Sequence, residues 1–159
     1  MSRIPTPSKA QLCEDVTAEY LSTAVPGYGS VTYDKGYRVK DHQHEIDMAE
    51  WLHRTFGGNI VLLKESEIKN QKMADLLWNN KLWELKSASS INGADKLMQH
   101  AIKQIQDNPG GVILNVVEEL NLSQLEYQLM RRIRRSQIGT FDLILLSKSG
   151  LVRILRYRK

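Results

Sequence analysis

Asp75, Glu84 and Lys86 are the residues of this 159-residue chain whose types and spacing suit chemistry on a charged substrate. Apolar residues flank Asn79 and Asn80, a pair that accepts the positive φ values of a two-residue hairpin turn. With those two at the tip, Trp78 pairs with Lys81, Leu77 with Leu82, Leu76 with Trp83, and Asp75 with Glu84. Opposed residues share a face, so the two carboxylates stand side by side, roughly 4.5–5.5 Å apart at Cβ. Alternation puts Lys86 on the face of Glu84 and turns Trp83 and Leu85 away. Two like charges facing each other destabilise a sheet unless something neutralises them. Lys86 can do so as the salt-bridge partner on an ordinary exposed hairpin; a divalent cation held by both carboxylates is the other answer. The polar trio interrupts otherwise apolar strands, and such a local conflict is where a functional site is expected.

The elements around the hairpin decide what else reaches it. A helix over 41–56, capped by Asp41 and stopped by Gly57-Gly58, carries Met48, Ala49, Leu52 and Phe56 on one apolar arc. Glu45 falls near the middle of that arc, while Asp47, Glu50 and Arg54 lie on the wet side. A carboxylate aimed at the protein body needs a partner, either a buried Lys or Arg or the same charged face. Residues 59–63 read as a buried strand, and a polar loop then runs through Glu65 and Glu67 to Lys72. A small-residue loop over 87–93 leads to a helix over 94–106 with Leu97, Met98, Ala101, Ile102 and Ile105 inward and Gln104 at the edge. Residues 112–117 form a strand. Asn121 or Ser123 starts a helix that buries Leu122, Leu125, Leu129 and Ile133 and carries Arg131, Arg134 and Arg135 on its other side. A hairpin over 140–146 and 151–157 follows, its second strand presenting Arg153, Arg156 and Arg158. At the start, Pro5 and Pro7 suggest an extended lead, Ser8 caps a helix to about Ala24, and 26–29 break it. Tyr28, Tyr33 and Tyr37 either pack on the domain or offer stacking surfaces. Residues 1–35 are thus expected to be a linker or lead-in, and 36–159 an α/β domain with a mixed central sheet flanked by helices.

Composition bounds the function. The chain is long enough for a sizeable core, and the single cysteine, Cys13, allows neither an internal disulfide nor a cysteine-built zinc cage. No apolar run is long enough for a membrane span and no signal-peptide core is present, which points to action in the cytoplasm. Net charge is +4, yet residues 131–159 carry nine Lys/Arg against the single Asp142, while 1–130 carry thirteen against seventeen Asp/Glu. That segregation suits either a solvated basic tail or a polyanion bound at one side, leaving carboxylates elsewhere for a metal. His42-x-His44 beside Glu45 does not make a zinc site, because i and i+2 lie about 160° apart on a helix.

The hairpin is similar to the motif of the PD-(D/E)XK nuclease superfamily: Asp75, eight residues, then Glu84-Leu85-Lys86. Taken together, "HEIDMAEWLHRTFGGNIVLL", "ADLLWNNKLWELKS" and "AIKQIQ" resemble the C-terminal tRNA-nuclease domains of CdiA-type contact-dependent inhibition toxins. Similar domains end minor head proteins of Gram-positive phages. The resemblance runs from about Gly36 to the C-terminus, with Ala74 where the family usually has proline. It implies a restriction-endonuclease-like core in which Asp75, Glu84 and the Leu85 main-chain carbonyl ligate Mg²⁺ or Mn²⁺. It further implies that Glu45 completes the site directly or through water, that Lys86 orients the attacking water, and that Gln104 and Ser87 support them. The implied partners are tRNA or other structured RNA, contacted by the arginines at 131, 134, 135, 153, 156 and 158, and a cognate immunity protein. The implied place of action is the cytoplasm of a target bacterium. A water nucleophile does not need the 2′-OH of RNA, so a DNase of the same fold is the nearest alternative. A non-catalytic, phage-associated nucleic-acid-binding module is the other.

Overall fold

Asn79 and Asn80 take φ values of 51° and 68°, the left-handed conformation that the tight hairpin requires. The computed structural model describes residues 12–65 and 74–158, and within them the hairpin lies inside an eight-stranded mixed sheet. In chain order the elements are β1 (Leu12–Asp15), α1 (Thr17–Thr23), β2 (Val31–Tyr33), a 3₁₀ turn (Val39–Asp41), α2 (Gln43–Thr55) and β3 (Ile60–Leu62). They continue with β4 (Leu76–Trp78), β5 (Lys81–Ala88), α3 (Ile91–Ile105), β6 (Pro109–Val116), α4 (Leu122–Arg134), β7 (Phe141–Leu146) and β8 (Val152–Arg158). The sheet order is β1-β8-β7-β6-β5-β4-β3-β2. At its centre β5, β6 and β7 run parallel, joined through α3 and α4, while antiparallel hairpins extend the sheet on both sides.

Two apolar layers sandwich the sheet. Met98, Ala101 and Ile105 of α3 and Leu125, Leu129 and Ile133 of α4 cover one face. Ile46, Ala49 and Leu52 of α2 cover the other, together with Val16, Trp78, Trp83 and Leu85. Each such fully buried Leu or Ile contributes roughly 1.5–3 kcal/mol. The alternation along β5 thus sends Trp83 and Leu85 toward α2, as the sequence pattern requires, and leaves Glu84 and Lys86 for the other side.

Several boundaries differ from the sequence reading. The helix expected from Ser8 to Ala24 is, within the described residues, a strand at Leu12–Asp15 and a helix only over Thr17–Thr23. The outer edge of β8 needs a strand partner and takes Leu12–Asp15 antiparallel; Asp15 then accepts the Thr17 amide at 2.9 Å and turns the chain. Residues 12–35, expected to stand apart as a lead-in, place β1 and β2 in the same sheet as the rest. Asp41 does not cap α2. It lies in the 3₁₀ turn, and His42 holds the cap position without a side-chain bond. The loop expected over 87–93 is shorter, because β5 continues to Ala88 and Ser90 caps α3 by accepting the Gly93 amide at 3.0 Å. Most of the expected polar loop, with Glu67 and Lys72, lies outside the described residues.

Asp142 on β7 is 7% exposed and is held by the Arg156 fork, Nε at 2.7 Å and Nη2 at 3.0 Å, and by the Tyr20 hydroxyl. Glu19 takes Arg156 Nη2 at 2.7 Å. Removing one partner of a buried pair strands the other charge. Arg156→Ala is therefore expected to destabilise the fold by about 3 kcal/mol, read as a lower urea midpoint; an unchanged midpoint would contradict this anchoring role.

Candidate active site

The register of the hairpin is Leu76 with Trp83, Leu77 with Leu82, and Trp78 with Lys81. Strand β4 stops at Leu76, and among the described residues no strand continues along the edge of β5 beyond Trp83 to accept its amides. Asp75 takes that place: the Leu85 amide donates to Asp75 Oδ2 at 2.7 Å. The N–H and C=O of one strand residue point to the same edge, so the Leu85 carbonyl faces the Asp75 side as well. In return the Asp75 amide donates to Glu84 Oε1 at 3.0 Å. Glu84 is 1% exposed, and Lys86 Nζ stands 3.1 Å from its Oε2. Gln104 of α3 reaches the same carboxylate. With its amide nitrogen turned toward Glu84, the orientation that satisfies both groups, it donates to Oε1 at 3.3 Å and to Oε2.

From the opposite face α2 brings Glu45, whose Oε2 accepts the Tyr37 hydroxyl at 2.9 Å and whose Oε1 stands 3.4 Å from His42 Nδ1. The second ring nitrogen of His42 faces Glu65 at 3.4 Å. His44, one turn position away, meets Ser87 instead, Nε2 to Oγ at 3.1 Å. The two histidines diverge, as their spacing requires, each to its own partners. Tyr37, His42 and His44 were not among the residues assigned to the site from sequence. The histidines had a visible signal, their adjacency to Glu45; Tyr37 lies in a loop and carried none.

Crowding shows in the acidities. Burial first, then the charge and hydrogen bonding of Glu84, push the Asp75 carboxyl up to about 7 from 3.8. Leu85 N–H and Lys86 oppose the rise without cancelling it. Burial first and then the Asp75 charge raise Glu45, against the Tyr37 hydrogen bond and His42, which lower it. Asp75 is thus held partly protonated near neutrality beside Glu84, feels the charge of Glu45, and has the Lys86 ammonium close by against Glu84. Hard oxygen donors fit a hard divalent cation. Among the described residues no three His, Cys, Asp or Glu side chains are gathered within cation-binding reach. The oxygen donors that stand together are two carboxylates, Asp75 and Glu84, with the Leu85 carbonyl on the same side.

The structure divides the six arginines. On β8, Arg153 pairs with Asp15 at 3.1 Å and with Glu126, Arg156 with Asp142 and Glu19, and Arg158 with Glu14. Their charge is answered within the chain. On α4, Arg131 and Arg135 are exposed, Arg131 lying 5.9 Å from the centroid of the Tyr127 ring, and Arg134 is half-buried.

No protein-family model matches the sequence, and no curated protein matches it. Among solved structures the chain is similar to a CdiA-CT/CdiI toxin and immunity complex from Burkholderia pseudomallei, at 14% identity over 96% of this chain and 92% of that one, with a TM-score of 0.45.

Proposed function

We propose that this chain is a metal-dependent endonuclease of the PD-(D/E)XK type that hydrolyses phosphodiester bonds in tRNA or a similar structured RNA, as a toxin restrained by an immunity protein. The observation that carries the reading is the pairing of Asp75 and Glu84 at the end of β4 beside β5, with Lys86 against Glu84. Mg²⁺ or Mn²⁺ would be held by Asp75, Glu84 and the Leu85 carbonyl, with Glu45 joined directly or through water; it would supply positive charge at the phosphate and acidify bound water.

The chain's own groups do the rest. Lys86 keeps an ammonium beside the carboxylates, where it hydrogen-bonds the attacking water and offsets charge building on the phosphate. Gln104 fixes the Glu84 carboxylate, and Tyr37 fixes Glu45. Ser87, held by His44, lines the next position along the strand. Arg131 and Arg135 are the exposed cations left for phosphate contacts at α4. A nuclease that kills must be silenced where it is made, so an acidic immunity protein covering the carboxylate locus or these arginines is the expected partner. No helix among the described residues is long and apolar enough to cross a membrane; the cytoplasm of a target cell, where tRNA is found, is the proposed place of action.

Purified protein given total tRNA, plasmid and single-stranded DNA side by side, with Mg²⁺ or Mn²⁺, is expected to cleave the tRNA and to stop on EDTA addition. Faster loss of DNA would move the substrate class. RNA binding without turnover under any divalent metal would favour the non-catalytic reading.

A further inference from the structure

Helices α3 and α4 pack on each other over the sheet face that Glu84 occupies, and their outer surface carries charge of one sign. The two helices hold only two acids, Asp95 and Glu126, both half-buried and both answered. Asp95 of α3 takes the Arg132 fork, Nε at 3.1 Å and Nη2 at 2.7 Å, and Gln128 at 3.2 Å, which ties it to α4. Glu126 is held by Arg153.

Exposed on the outside are Lys96, His100 and Lys103 of α3, Arg131 of α4, and Arg135 at its cap. Positions 96, 100 and 103 fall within about 60° around the helix axis, so they make one stripe about 10 Å long. Arg131 and Arg135 make a second, one turn apart. None of the five forms an ion pair among the described residues. A glutamate four residues before a lysine or arginine would support a solvated helix. Those places hold Asn92, Gln99, Tyr127 and Arg131 instead. The α3 stripe also ends beside the carboxylates: Gln104 follows Lys103 directly and bonds Glu84, against which Lys86 stands.

We propose that this two-helix face is the track along which the phosphate backbone of the RNA substrate lies, reaching the carboxylates at Gln104. It rests on the reading of the chain as a nuclease, and adds α3 to the contacts which that reading gives to α4. A docked protein is the poorer fit, because protein interfaces are depleted of lysine and have an apolar centre. Among the described residues Tyr127 is the one large apolar side chain strongly exposed on these helices. A polyphosphate chain fits cations strung along adjacent helices, and gains by releasing its counterions there.

The test is the salt dependence of binding, read by fluorescence anisotropy of labelled tRNA in EDTA between about 50 and 200 mM salt. Each phosphate contact contributes about 0.7–0.9 to the slope of log affinity against log salt. Lys96→Gln/Lys103→Gln and Arg131→Gln/Arg135→Gln are each expected to flatten that slope by about 1.5–2. Arg54→Gln/Lys148→Gln removes the same charge from exposed places on α2 and the β7–β8 turn, and should leave the slope unchanged. All six positions are exposed, and circular dichroism checks that each variant keeps the fold. An unflattened slope in both helix variants overturns the proposal, as does equal flattening in the third. Poly-L-glutamate competing with tRNA at equal charge concentration overturns it too, and gives the face to an acidic protein. No cleavage step enters the measurement. Flattening in a protein that cuts no nucleic acid retires the nuclease reading and keeps the face; cutting with an unflattened slope retires the track alone.

Discussion

Glu84→Gln is expected to reduce metal-supported cleavage of tRNA by at least about 10³-fold, the scale for losing a group that acts in the transition state. Glutamine has nearly the shape of glutamate, and its carbonyl still accepts the Asp75 amide that now bonds Oε1. The carboxylate charge is lost, however, and with it a cation ligand and the ion pair that sets Lys86 at 3.1 Å. The fold should survive, because this residue is enclosed on all sides yet loses only a charge, and burial of a neutral amide is the less costly state. End-labelled tRNA and circular dichroism on the same preparation read both outcomes. Residual activity above a tenth of the parent would remove Glu84 from the chemistry.

Asp75→Asn should stop cleavage equally well and, in metal-free protein, raise stability. The Asp75 carboxyl titrates near 7 in the fold against 3.8 when free. Between those values the folded protein holds a proton that the unfolded chain has released, so stability falls as pH rises through that window. The penalty is absent near pH 4 and complete above pH 7. The Glu45 carboxyl, also raised, acts in the same direction. Asparagine removes the Asp75 part, on the order of 2–4 kcal/mol at pH 8, and nothing near pH 4. Melting curves at the two pH values, with and without Mn²⁺, separate these effects. Added Mn²⁺ should raise the melting temperature of the parent at pH 8 and leave Asp75→Asn unmoved. A variant less stable than the parent at pH 8 would mean that the crowded carboxylates are not in conflict.

The hairpin was legible from sequence because everything that fixes it is local. Asn79 and Asn80 set the turn, strand alternation sets the faces, and Asp75, Glu84 and Lys86 follow from counting. Glu45 was legible for a similar reason, since helical phase alone placed it on the inward arc. Contacts between distant segments were not. Leu12–Asp15 becomes a strand because β8, some 140 residues later, has a free edge, and no pattern inside the segment announces that. The arginines of β8 gave a charge but not its destination; three of them are consumed by Asp15, Glu14, Glu126, Asp142 and Glu19.

The turn at Asn79-Asn80 is also a ruler. Its length of two residues is what sets residue 75 across from residue 84, and side chains along each arm alternate with a period of two. One residue added at the tip would bring Ala74 or Asp75 opposite the wrong partner and swing the acids to unrelated sides of the sheet. The loop carries no reactive group, yet its length is under the same constraint as the acids themselves. Drift in this chain should therefore be freer in the identity of the surrounding apolar side chains than in the count of residues between its two acids.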